Sequence, residues 1–182
     1  MRRSRRVCGV AVIAAAVAAL AVAPAGAKTK TKTYSSGPLN AAIEDAALNT
    51  YPLTAKRKGK VKDVEVAVRI THAFDRDLDI YLVSPRAKFV QLSADNGGTG
   101  NNYGSGAADC TGTFTVFDDA APTPITAALP PFVGSFKPQE PLSTVKGAKA
   151  KGDWQLLVSD DDATITGTLN CWQLTISSKR KK

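Results

Sequence analysis

The sequence predicts an all-β protein, an antiparallel β-sandwich or jelly roll, on three observations. Apolar and polar residues alternate with period two in short segments from Val64 onward. Fourteen Gly and ten Pro punctuate the chain, the usual marks of many turns. No segment carries the spacing of a long amphipathic helix. At 182 residues and 43% apolar content the chain makes one ordinary domain with enough apolar mass for a core. Disorder and a multidomain enzyme are both disfavoured.

Residues 1–27 read as an export signal. Met1–Arg6 is basic, Val7–Ala23 is an unbroken apolar run rich in Ala and Val, and Pro24 breaks any helix. Ala25-Gly26-Ala27 is a small-residue site for cleavage between Ala27 and Lys28. The 17 apolar residues fall short of the roughly 20 that span a bilayer, so no membrane span is expected after cleavage. Ser4-Arg5-Arg6 hints at twin-arginine export, but Cys8 and Gly9 stand where large apolar residues belong, and the route stays open. Cys8 stands at the start of the apolar run rather than after it and is not placed as a lipid attachment site.

Residues 28–35, opening on alternating Lys and Thr, offer nothing to bury and read as a solvated linker. Leu39–Leu48 has the weak spacing of a short helical turn. Strands follow where Val64, Val66, Val68 and Ile70 share a face, where Leu78, Ile80 and Leu82 do, and over Phe89–Leu92. Asp95–Gly106 is a Gly/Asn-rich loop, Thr113–Phe117 a strand, and Ala120–Leu142, with six prolines, a long connection. Trp154, Leu156 and Val158 alternate, as do Trp172, Leu174 and Ile176, which places both tryptophans in the core.

The formal charge is +8, from 24 Lys+Arg and 16 Asp+Glu. Four bases lie in 1–27, three in 28–32 and four in 179–182, so residues 33–178 hold 13 bases against all 16 acids, a net of −3. Five of those 13 occupy Lys56–Lys62, read as an exposed turn around Gly59. Sharper readings of that stretch are a patch for an anionic surface or a dibasic processing site at Lys56-Arg57. Nucleic acid is not expected, because no aromatics interleave with the lysines.

Catalysis finds little support. His72 is the one histidine, no serine sits in a G-x-S-x-G elbow, and a triad His72–Asp75–Ser84 has no oxyanion loop in view. Acids are too common here for a paired-carboxylate pattern to be informative. Zinc lacks its usual ligands with a single histidine. Calcium is the better candidate cation, with Asp75, Asp77, Asp79, Asp118, Asp119 and Asp160 as candidate oxygen ligands at strand ends. Asp75, Asp77 and Asp79 begin like an EF-hand loop, but Ile80 replaces the glycine at position 6 and Arg86 the glutamate at position 12, so that motif fails. The alternative is that these aspartates are solvated turn residues. Removing the leader leaves Cys110 and Cys171, an even count that argues for one disulfide in an oxidising compartment; two free buried thiols are the alternative.

Longer motifs then become recognisable. The run Ile70-Thr71-His72-Ala73-Phe74-Asp75-Arg76-Asp77-Leu78-Asp79-Ile80-Tyr81-Leu82-Val83-Ser84-Pro85 resembles the central motif of the P domain (P/Homo B domain), which follows the subtilisin-like catalytic domain in kexin, furin and related bacterial proteases. Val116–Ala120, Phe136–Leu142, Gly152–Asp160 and Gly167–Ile176 match in the family's order, so the resemblance covers residues 36–178 and leaves 179–182 as a basic tail. It implies a jelly roll of about eight strands, galactose-binding-domain-like, that packs against a protease domain and stabilises it without catalytic residues of its own. It also implies that Cys110 and Cys171, just before the Phe-Asp-Asp motif and just before Trp172, are bridged. One departure is Arg76, where the family commonly has glycine. Another is that 27 leader residues and a short linker leave no room for a protease domain in this sequence. The expectation is a secreted, monomeric, non-catalytic module whose partner is a separately encoded subtilisin-like protease. A carbohydrate- or cell-surface-binding jelly roll is the alternative, and a hydrolase in its own right the third.

Overall fold

The computed structural model describes residues 28–179. The leader, its cleavage on the Ala27 side and Arg180–Lys182 of the basic tail lie outside the described residues. Ten strands form two sheets: β1 (Lys30–Ser35), β2 (Ala41–Ile43), β3 (Ala47–Ala55), β4 (Lys60–Thr71), β5 (Leu78–Val83), β6 (Phe89–Ser93), β7 (Thr115–Phe117), β8 (Gly134–Phe136), β9 (Gly152–Asp160) and β10 (Gly167–Lys179). One sheet runs β1-β10-β4-β7-β8, with β2 paired to β10 ahead of β1; the other runs β3-β9-β5-β6. Pairing is antiparallel except between β7 and β8. Short 3-10 turns lie at Asp75–Asp77, Ile125–Ala127 and Leu142–Val145.

The period-two segments became the inner faces of this sandwich. Val64, Val66, Val68 and Ile70 of β4, Leu78, Ile80 and Leu82 of β5, and Leu174 and Ile176 of β10 are all buried. Trp154 and Trp172 are 0% exposed and belong to the same cluster. The two sheets thereby share one continuous apolar layer, which is how a sandwich excludes water from both inner faces.

Four segments differ from the sequence reading. Lys30–Ser35 is not a linker but an edge strand, in register from Lys30↔Ser178 to Ser35↔Gln173. No β1 residue is fully buried, so hydrophobic spacing gave no signal; backbone pairing and the hydroxyl pairs Thr31–Ser177 (2.6 Å) and Thr33–Thr175 (2.9 Å) hold it. The lysines of an edge strand also discourage pairing with another chain. The helical turn expected over Leu39–Leu48 is instead β2, a turn and the start of β3, with Asn40 and Ala46 at φ +46 and +49 breaking any helix. β3 went unread because Asn49 and Pro52 interrupt its pattern; Pro52 is tolerated because β3 is an edge. The long connection Ala120–Leu142 contains β8 and buries Ile125, Phe132 and Leu142. At the other end Lys179, assigned to the basic tail, completes β10.

Candidate functional site

His72 follows the last residue of β4 and is closed from solvent. Its Nδ1 faces the Phe74 carbonyl at 2.7 Å, and its Nε2 faces Asp160 Oδ2 at 3.0 Å and the Ile165 carbonyl at 2.9 Å. Both ring nitrogens therefore have oxygen acceptors inside the fold, and the ring clasps the end of β4 to the end of β9. A Cβ on Gly167 would come within 2.5 Å of the His72 ring, which explains a glycine there. Burial raises the Asp160 carboxyl above its usual range, with the His72 hydrogen bond pulling the other way. Ser84 is buried elsewhere, accepting from the Lys88 N–H at 3.2 Å. The arrangement His72–Asp75–Ser84 is not assembled; Asp160 holds the place beside the imidazole.

The six aspartates considered as calcium ligands do not converge. Asp119 accepts the N–H groups of Leu142 and Ser143 at 2.7 and 2.8 Å and so anchors the 3-10 turn there. Asp118 Oδ1 accepts the Ala120 N–H at 2.8 Å, closing a turn on its own backbone. Asp160 is engaged by His72, and Asp77, also buried, lies 3.4 Å from the Arg76 guanidinium. Among the described residues no three His, Cys, Asp or Glu side chains are grouped to hold one metal ion.

Two of the six keep buried oxygens without a partner. Asp79 Oδ2 accepts the Tyr81 hydroxyl at 3.1 Å, while its Oδ1 is buried without a partner. Burial, with Asp95 and Asp161 nearby, raises its carboxyl. Asp75 is 0% exposed, and neither carboxylate oxygen has a hydrogen-bond partner. Its main-chain N–H donates to the Gly100 carbonyl at 2.9 Å, which seats the loop after β6 over it. Gly97, at φ +89, lies so close that a Cβ would come within 2.9 Å of the Asp75 Cβ. Burial pushes the Asp75 carboxyl up to about 7. The nearby Asn102 N–H and His72 oppose this only in part, and that N–H already serves the His72 carbonyl at 3.2 Å.

A third cluster was missed in the sequence. Arg69, the outward residue between Val68 and Ile70, is 2% exposed and donates to the carbonyls of Ala107 and Asp109. It also pairs with the Asp109 carboxylate at 3.5 Å. Gly112 lies against the guanidinium, where a Cβ would meet the Ser105 carbonyl at 2.0 Å and Arg69 Cζ at 2.8 Å. The adjoining Cys110 is bridged to Cys171 of β10, Cα atoms 5.4 Å apart. The glycine-dense loop 97–112 was the available signal: so many small residues together mark a backbone lying close against something large.

Residues 61–176 match the family described as the proprotein convertase P-domain. No curated protein matches the chain. Among solved structures, the serine protease of Aeromonas sobria is similar at TM-score 0.53 and 17% identity, covering 83% of this chain and 27% of that one. The Aeromonas sobria serine protease (ASP) in complex with the chaperone (ORF2) gives TM-score 0.55 and 17% identity, covering 86% and 28%. FLHE gives TM-score 0.50 and 9% identity, covering 86% of this chain and 100% of that one. At these identities the likeness concerns the fold, and the chain spans little more than a quarter of the Aeromonas sobria structures. The sandwich of two sheets, the motif from Ile70 to Pro85 folded as β4, turn and β5, and the match over 61–176 agree: this chain belongs to the proprotein convertase P-domain family.

Proposed function

We propose that the chain is a secreted, non-catalytic accessory module that binds and stabilises a separately encoded subtilisin-like serine protease. The match of residues 61–176 to the P-domain family carries this reading. The engaged His72 ring supports the non-catalytic part: a general base needs a nitrogen that can reach substrate, and both of these nitrogens face acceptors within the fold. The Cys110–Cys171 bridge suits an oxidising, extracellular compartment. Among the described residues no helix is long and apolar enough to cross a membrane. The experiment is retention of an active-site-labelled serine protease, taken from the producing organism's secreted fraction, on the immobilised mature chain.

Calcium enters this reading at Asp75. A fully buried carboxylate with two unpartnered oxygens is costly, and a hard cation held with neighbouring oxygens would offset that cost. Calcium added at pH 7.5 should raise the melting temperature relative to chelator, since a ligand specific to the folded state stabilises it. Asp75→Asn should abolish the difference and melt above the parent chain in chelator. An unchanged melting temperature in calcium contradicts the site. In chelator the sign with pH follows from a folded-state value above the ordinary 3.8. Stability from this group is complete below about pH 4 and declines as pH rises to about 7, where the buried group must ionise. His72, Tyr103, Asp79 and Asp95 face the same region, so the slope should be read as the difference between the parent chain and Asp75→Asn.

A further inference from the structure

Basic residues that look scattered along the sequence meet at one edge of the sandwich. Lys28 and Lys30, at the start of β1, line a groove of about 350 Å³ together with Lys56, Arg57 and Lys58 from the turn between β3 and β4. Among the described residues those five cations form its lining, and the four lysines are exposed. Among the described residues no carboxylate lies within ion-pair distance of any of them. The groove is also built rather than draped. The Arg57 N–H donates to the Tyr34 hydroxyl at 2.8 Å, and the Arg57 Nε donates to Ser178 Oγ at 2.7 Å. That leaves both terminal nitrogens of the guanidinium without a partner among the described residues. Gly59 turns the chain at φ +123, so that β3 and β4 present this stretch to β1. Five like charges in one concavity repel one another, and a body of net charge −3 does not require them there.

We infer that this groove binds a linear anionic polysaccharide carrying sulfate or uronate groups. A protein partner fits poorly, because interface centres are rich in aromatics and poor in lysine, the reverse of this lining. A membrane surface fits poorly as well, since none of the exposed large apolar residues, Leu39, Leu48, Phe89, Leu129 and Val133, lines the groove to insert beside the lysines. Single-stranded nucleic acid needs stacking platforms, and among the described residues no aromatic lines the groove, the nearby Tyr34 being packed against the core. What remains is a flexible polyanion whose repeated oxyanions sit among hydrated ammonium groups and one braced guanidinium.

Heparin is the probe for the test, with neutral dextran and phosphatidylglycerol vesicles beside it, and the mature chain as the protein. The parent chain should bind heparin with affinity that falls steeply with salt, and should not bind dextran. Lys56→Gln/Lys58→Gln alters exposed side chains only and should weaken binding about tenfold or more near 0.1 M salt, lowering the salt slope by about one per lost contact. Arg57→Lys keeps the charge but loses the fork and the Ser178 hydrogen bond, and should also weaken binding with only a small drop in melting temperature. Arg86→Gln/Lys137→Gln removes the same two charges from other exposed positions and should change affinity less than about threefold. Equal losses in the two double variants, no heparin binding, or binding to vesicles in preference to heparin would each overturn the assignment.

Discussion

Replacing Trp172 or Trp154 by alanine should destabilise the mature chain by about 3–5 kcal/mol each, as expected for emptying a fully buried indole site. Such losses compare with a whole-domain stability of about 5–15 kcal/mol, so either variant should melt about 10 °C lower or fail to accumulate folded. The two indoles should separate under a milder change. Trp154 Nε1 donates to the Ala150 carbonyl at 3.1 Å, whereas Trp172 Nε1 is buried without a partner. Trp154→Phe should therefore cost about 1 kcal/mol more than Trp172→Phe, because only the first strands a buried acceptor. Chemical denaturation of the four variants checks this, and equal costs for the two phenylalanine variants would contradict the hydrogen-bond assignment.

Loss of the Cys110–Cys171 bridge should cost roughly 4 kcal/mol on loop entropy, since the bond closes 61 residues of chain. The contacts it secures are local and consequential. Cys110 lies beside the loop clamped by Arg69, and Cys171 precedes Trp172 on β10, next to the irregularity in register between Leu169 and Cys171. Freeing the bridge should loosen loop 97–112 first, seen as faster amide exchange there than in β4. Cys110→Ala/Cys171→Ala, compared with the parent in denaturant, reads the energy. Thiol titration of the unreduced, denatured chain expressed from Lys28, which holds no cysteine but Cys110 and Cys171, should find no free thiol; two would contradict the pairing.

The inner faces of the sheets were legible because burial on one side writes period two into a sequence. β4, β5, β9 and β10 all carry it, and the residues it singled out form the core. β1 was illegible for the converse reason: an edge strand held by main-chain pairing and threonine hydroxyls buries nothing that the pattern can register. The candidate site was read less completely. His72 and the aspartates were named, but the pairing of His72 with Asp160, 88 positions away, is a product of topology. Arg69 looked like an ordinary outward residue of β4 until the glycine loop closed over it. The basic groove was hidden in the same manner. Lys28 and Lys30 read as linker charges, and Lys56–Lys62 as an exposed turn with an anionic-surface patch as its sharper reading; that the two stretches share one edge came only with the pairing of β1 and β10.

The P-domain assignment gives these features a common sense. In the accessory role proposed above, a sandwich stapled by a disulfide and clasped by His72–Asp160 offers the protease a fixed surface. The most direct test passes the producing organism's secreted fraction over the immobilised mature chain and labels the retained proteins with a fluorophosphonate probe for activated serines. The account predicts a labelled subtilisin-like protease that is retained by the folded chain, is lost when the chain is reduced and denatured, and is inactivated more slowly by heat when the chain is present. Labelling of the chain itself, or a retained fraction with no labelled protease, would contradict it.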